Sequence, residues 1–461
     1  MEKPSFIALL AVYLIGFAPA AAGQEAGRDS IPTDVRVGIV YQPGFRPGIV
    51  VPAMAAAANL ELVADSVRAI IRRDLDQGDR LQVMGVGEDL PSEGPINYQL
   101  WDELGAVWLL VGALEGTPDA PILRLSLNDV VFKLLQEVRA FDLPPLRHPE
   151  FRMAVHRASD RVVRWATGSM GIAATRIAYS QKTAGGSEIW AVDGDGFGAR
   201  RLTGDGSIAL SPAWSPSGGA IAYMSYLSGD PSIYVYDLAT DRSELKIARP
   251  GLNMTPTYSI DGTQLLFAAT IEGRTELYMY DLIEDCCPQR ITFARFSNSL
   301  SPSFSPDGKR IAFNSDRLGQ LHIFVKELGE GQAMLVTPYI YDRSVHNAGP
   351  EWSPSGDRIA FHGRVNGEPQ VFTVAPNGSG LRQLTQRGRN EDPSWAPDGR
   401  HLVFSSTRSG STGLWLLDVV SGRIRSLVRS RAVSLPDWSG RLDSQFYSTD
   451  GAVADSNGQN P

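Results

Sequence analysis

Pro302-Ser303-Phe304-Ser305-Pro306-Asp307-Gly308, running straight into Lys309-Arg310-Ile311-Ala312-Phe313, decides how this chain is read. The segment spells a short strand, a tight turn and a second strand. Ser-Pro-Asp-Gly supplies a proline with fixed φ, an aspartate that can bond its own backbone, and a glycine free to take positive φ. The flanking Phe and Ile residues suit a pleated, half-buried surface.

The segment recurs. Related copies begin at Pro212 (with Trp214), Pro256 (Tyr258), Pro350 (Trp352) and Pro393 (Trp395), and a truncated copy at Pro436 (Trp438). Successive prolines are 44, 46, 48, 43 and 43 residues apart. That period, with several short strands in each unit, is the mark of propeller blades. Second strands follow at Ala220–Tyr223, Gln264–Phe267, Arg310–Phe313, Arg358–Phe361 and His401–Phe404, and one precedes the first copy at Arg176–Tyr179. That first unit lacks an innermost strand, and Val433–Trp438 is left over at the far end. Pairing the two closes a sixth blade from both ends and leaves no open sheet edge at the seam.

The 461 residues leave room for more than one domain. A composition of 43% hydrophobic and 20% charged residues is that of a globular protein. A net charge of −8 argues against nucleic acid as a partner. Residues 1–22 read as a secretory signal: Phe6–Ala18 is apolar but too short to span a bilayer, and small residues follow. No membrane span is expected once it is cleaved. Adjacent Cys286 and Cys287 read as two thiols in a turn between strands. Residues 441–461 read as a disordered polar tail.

Residues 23–168 carry mixed signals. Val35–Val40 reads as a strand. Leu60, Val63, Val67, Ile70 and Ile71 recur at helical spacing, and Val107–Gly112 is a continuous apolar run suited to a buried strand. Leu123–Val131 and Leu134–Phe141 add two strands, and Phe151–Ala166 a last helix. The expectation is an N-terminal α/β domain over 23–168, then an all-β six-bladed propeller over 169–440 closed by its C-terminal strand.

The repeats, together with Val155-His156-Arg157-Ala158-Ser159-Asp160, the Gly171–Tyr179 junction and the Leu104-Gly105…Val111-Gly112 strand, resemble the TolB family of the Tol-Pal envelope system. The resemblance covers roughly Val35 to Gly440. It implies a periplasmic, monomeric, non-enzymatic scaffold that binds the peptidoglycan-associated lipoprotein Pal at the channel mouth. It also implies a mature N-terminal segment that communicates with TolA, and roles in outer-membrane integrity and cell division.

The residues themselves place candidate partner contacts just before each innermost strand. Asn253, Asn347 and Asn390 stand three positions before their prolines and Asn298 four before Pro302, with Ala209 and Val433 in the other units. Each amide can donate and accept at once, and His346, Arg389 and Glu391 share these loops. The competing reading has each Asn tied to local backbone.

Catalytic and metal signatures are missing from the sequence, and neither cofactor nor metal is expected. The six histidines show no ligand pairing such as His-Glu-x-x-His, and His156 reads as a packed or capping residue. No Gly-x-Ser-x-Gly elbow occurs. Asp193-Gly194-Asp195-Gly196-Phe197-Gly198 reads as a turn, and Arg423, Arg425, Arg429 and Arg431 as a solvated basic face. Two alternatives to the scaffold stay open: a peptide- or carbohydrate-binding sensor unrelated to Tol-Pal, and a propeller that gates a peptidase.

Overall fold

The computed structural model describes residues 45–85, 95–271, 273–294, 296–329, 331–339, 346–429 and 432–442. These fall within a single compact unit. The signal over 1–22, the strand read at Val35–Val40 and the tail beyond 442 lie outside the described residues. No helix among the described residues is long and apolar enough to cross a membrane.

The first layer is a sheet in the order Gln82–Val83, Gly48–Val50, Trp108–Thr117, Ala120–Asp129, Leu134–Asp142. The first three strands run parallel and the last two antiparallel. Three helices pack on it. Helix α1 (Glu61–Gln77) buries Val63, Val67, Ile70, Ile71 and Leu75. The short α2 (Tyr98–Glu103) is capped by the Asn97 side chain, which accepts the Leu100 N–H. Helix α3 (Phe151–Thr167) buries Val155, Ala158, Val162 and Val163 against α1 and the sheet. Each of the Val, Ile and Leu side chains among them contributes roughly 1.5–3 kcal/mol by leaving water. Gly168, at φ 75°, ends α3 by taking the left-handed conformation that a helix stop favours.

Six four-stranded antiparallel sheets follow. Their innermost strands are Ala209–Trp214, Asn253–Tyr258, Ser299–Phe304, Asn347–Trp352, Asn390–Trp395 and Val433–Trp438. Each packs against the innermost strands of both neighbours, so the six form a ring. Val433–Trp438 pairs with Arg176–Thr183, Val433 opposite Gln181 and Trp438 opposite Ile177, which closes the ring as the strand count requires. Blades pack face to face through apolar side chains. Tyr179, Tyr223, Phe267, Phe313, Phe361 and Phe404, one from each second strand, are fully buried. Several stack on an aromatic of the third strand, as Phe361 does on Phe372 with centroids 5.5 Å apart.

Every innermost strand carries a bulge that the sequence did not announce. The residue before each proline takes positive φ: Ser211 53°, Thr255 47°, Ser301 50°, Gly349 59°, Asp392 53° and Leu435 52°. The ladder to the second strand shifts register at each of these points. The residue after the proline then ties one blade to the next. Ser303, Glu351, Ser394 and Asp437 accept the backbone N–H of Trp352, Trp395, Trp438 and Trp214 at 3.1, 2.9, 2.9 and 2.7 Å.

Two expectations are corrected. Cys286 and Cys287 are joined as a disulfide, their Cα atoms 3.7 Å apart. Cys287 takes φ 60° at the start of its strand, which breaks the alternation that sends neighbouring side chains to opposite faces. Arg441 and Leu442, assigned to the polar tail, are held in place. The Leu442 N–H donates to Ala174 O, its carbonyl accepts Arg157 Nε at 3.0 Å, and Arg441 Nε donates to Gly171 O.

Candidate partner-binding mouth of the propeller

All six innermost strands begin at one end of the central channel, and the residues singled out by the sequence gather there. The structure separates them into two groups. Asn253 and Asn390 are fully buried. The Asn253 amide donates to the carbonyls of Pro231 (3.1 Å) and Arg249 (2.8 Å). The Asn390 amide donates to Gln370 Oε1 and to the Arg387 and Gly388 carbonyls, while its oxygen accepts from Ser406 Oγ and Arg408. These two side chains tie the loop to the strand and offer no surface to a partner, so the local-backbone reading holds for them.

Asn298 is not the counterpart of the other three. Ser299 is, because it pairs with Ser315 where Asn253 pairs with Ala269 and Asn390 with Ser406. Asn298 lies one residue outside the strand and braces the next loop. Its oxygen accepts Thr275 N, and its amide donates to Asp316 Oδ2 at 2.9 Å. Asn347 is half-buried and pairs with Gly363.

The remaining residues form an accessible cluster. Arg389 reaches Glu391 at 3.2 Å and Glu368 at 3.6 Å, with 48% of its side chain exposed. His346 is half-buried beside them, bridged to Leu321. Burial, reinforced by the Arg364 charge, pushes its imidazole below the usual range while Glu391 opposes the shift. His362 lies deeper. The Asp392 N–H donates to its Nδ1 at 3.2 Å, and burial pushes its pKa down to about 4, so the ring is a neutral acceptor. Enclosure in the ring pushes the Asp392 carboxyl up to about 6. Beside this cluster a cavity of about 460 Å³ opens between two blades, lined by Glu368, Gln370, Gln383, Gln386 and Arg389 among others. Amides, imidazoles, a guanidinium and carboxylates side by side match the mixed donors and acceptors of a polypeptide loop.

Deeper in the ring, Glu351 and Asp437 carry carboxyls pushed up by burial, Asp437 to about 7, and the Asp437 charge raises Glu351 further. Both accept backbone N–H groups, so their visible role is to hold blades together.

The sequence missed the seam between the α/β layer and the propeller, whose parts lie far apart in the chain. Arg423 and Arg425 do not form a solvated face. Both pair with Asp79, just beyond α1, Arg423 at 2.9 Å, and Arg425 also donates to the Gln77 carbonyl. His401 Nε2 lies 3.3 Å from the same carboxylate and its Nδ1 2.8 Å from Asp398. Burial raises the Asp79 pKa, but hydrogen bonds from His401 and Arg425 outweigh it and hold the group at about 2. Arg429 instead stays exposed, donating to Ser426, and Arg431 lies outside the described residues. Among the described residues, two clusters have metal-ligand geometry, Asp79–His401–Asp418 and Asp74–His156–Asp195. The first is surrounded by the guanidinium groups of Arg400, Arg423 and Arg425, which already neutralise it.

Residues 163–442 match the family model described as the TolB beta propeller domain. A protein named Tol-Pal system protein TolB from Bordetella pertussis is 35% identical over 267 residues, 57% of this chain and 60% of that protein. Its namesake from Bordetella avium is 33% identical over 198 residues, 42% of this chain and 44% of that protein. The matched stretch thus spans about half the length of these curated relatives. The crystal structure of TolB from Acinetobacter baumannii superposes with a TM-score of 0.75 at 26% identity, covering 86% of this chain and 98% of that one. The blades, the closing strand and the preceding α/β layer agree with these matches: the chain belongs to the TolB β-propeller family.

Proposed function

We propose that this chain is a non-catalytic scaffold of the Tol-Pal system, acting as a monomer in the periplasm. It binds the peptidoglycan-associated lipoprotein Pal at the channel end where the innermost strands begin. In that role it supports outer-membrane integrity and envelope constriction during division. The observation that carries the reading is the accessible cluster of His346, Asn347, Arg389 and Glu391 beside the 460 Å³ groove. Family membership points it towards Tol-Pal. The secretory signal read over residues 1–22 supports the periplasmic location, and residues 23–168 and 169–440 then act as an α/β part and a propeller part. The contact with TolA falls to the segment before Phe45.

The test is direct binding of the purified mature chain to Pal from the same envelope, by calorimetry or surface plasmon resonance. The triple variant His346→Ala/Arg389→Ala/Glu391→Ala is expected to bind at least about tenfold more weakly, since interface hot spots cost about 1.4 kcal/mol or more. Its melting temperature should stay near that of the parent. Full affinity in the triple variant refutes the mouth assignment. If the parent ignores Pal but captures another envelope peptide or glycan, the sensor reading replaces this one.

A further inference from the structure

A second place in the molecule leaves buried polar atoms unpaired. It lies where α1 and α3 meet the blade containing Gly186–Asp193. His156 of α3 is fully buried, and its Nδ1 is 2.8 Å from Asp74 Oδ2 on α1. The opposite ring nitrogen, Nε2, has no hydrogen-bond partner, and neither has Asp74 Oδ1. Nε2 faces Asp193 Oδ2 at 3.9 Å, too far for a hydrogen bond. One ligand atom from each of Asp74, His156 and Asp195 lies within 4.8 Å of the others. Asp193 and Asp195 come from the Asp193–Gly198 turn, which Gly196 N–H to Asp193 O and Asp193 N–H to Phe197 O hold shut.

We infer that this pocket is a binding site for one divalent first-row transition ion of the zinc type, with His156 Nε2, Asp193 and Asp195 as ligands. Asp74 is the positioning residue: by accepting the Nδ1 proton it fixes the tautomer that leaves Nε2 as a lone pair, the usual arrangement behind a metal-bound histidine. Zinc ligands about 2.1 Å from the ion stand about 3.4 Å apart at the tetrahedral angle. The 3.9 Å between Nε2 and Asp193 therefore needs only a small closure. Mixed imidazole and carboxylate donors favour zinc or manganese over calcium.

Charge and access support the same reading. Asp74, Asp193, Asp195 and Glu150 face three guanidinium groups, Arg152, Arg176 and Arg157, the last 3.9 Å from Glu150. Arg152 pairs with Asp195 and stands 3.5 Å from Asp193, and Arg176 binds Glu150 and Asp193. With Arg152 displaced and the imidazole neutral as a ligand, the four carboxylates exceed the remaining guanidinium groups by two negative charges, which a divalent cation cancels. Nearby Asp160 spends its oxygens on the Ala173 and Ala174 N–H groups and is no ligand. Arg152 is the group an ion displaces. It is 30% exposed, lies over the Phe197 ring at 5.1 Å, and lines a cavity of about 500 Å³ together with Glu150, Asp193 and Gly198. That cavity is the entry path. The bound ion would clasp both helices to the first blade.

The test uses the mature chain without an affinity tag, stripped with EDTA and then titrated with zinc, manganese or calcium chloride. Metal content is read by mass spectrometry and the site located by anomalous diffraction at the zinc edge. One zinc per chain is expected, with an anomalous peak beside His156 Nε2. His156→Gln should weaken binding by more than about 100-fold, and Asp74→Asn by about 10- to 100-fold as a positioning residue. Replacing the exposed His148 by Gln should change nothing. Because a variant can misfold, the parent alone also decides. No stoichiometric zinc, a peak elsewhere, or a proton resonance on Nε2 that persists in excess zinc each overturns the proposal.

Discussion

Asp437, half-buried beside Glu351, shows how much one carboxyl can control. It accepts the Trp214 N–H at 2.7 Å and burial raises its pKa to about 7, against about 3.9 in an unfolded chain. The folded state therefore keeps a proton that the unfolded state releases between about pH 4 and pH 7, and stability falls as pH rises through that window. Asp437→Asn keeps an oxygen for Trp214 and removes the titration. Its melting temperature should equal the parent's near pH 4.5 and exceed it at pH 8, by the shift that about 1–3 kcal/mol of added stability produces. Equal melting temperatures at pH 8 would show that the carboxyl ionises freely. Roles of this kind were not legible in the sequence. It put Asn253 and Asn390 just before the innermost strands, of which they are the first residues, and it could not say which way their amides turn. Asp79 and Arg425 could not be paired because only the folded ring brings their distant segments together.

At the level of the element, the blade strands and the two long helices were legible because the same pattern returned six times and because α1 and α3 keep strict apolar faces, whereas the short strand Gly48–Val50 was not read. The bulges were hidden. The residue at positive φ is Ser, Thr, Ser, Gly, Asp or Leu in turn, so no shared chemistry marks the position. What repeats is the proline after it, which cannot donate to the ladder and so tolerates a break in register. Gly349 is the one glycine of the set. A Cβ there would stand 3.4 Å from His362 Nδ1, close but not overlapping. Gly349→Asp, copying the neighbouring blade, should therefore cost less than about 1 kcal/mol. Gly349→Val, branched at Cβ and at positive φ, should cost about 1–3 kcal/mol. Denaturant melts of the two variants give the comparison, and equal losses would mean that sterics with His362, rather than backbone conformation, govern the site.

For the whole molecule, the ring and the α/β layer depend on residues 433–442. A chain ending at Ala432 keeps five complete blades but leaves Arg176–Thr183 without its partner strand and removes the Leu442 contacts to Ala174 and Arg157. It is expected to lose its single cooperative melt and to elute as higher oligomers through the bared edge. A synthetic peptide of residues 432–442 should restore the monomer, and a truncated chain that melts like the parent would show that closure adds little. The pairing of Val433 with Gln181 joins residues about 250 positions apart, and such distant pairing slows folding. Timing follows from this. During synthesis the first-made edge of the ring must wait for the last-made strand, so every incomplete chain bears a sticky flank that a chaperone or protease can recognise, and only a finished one hides it.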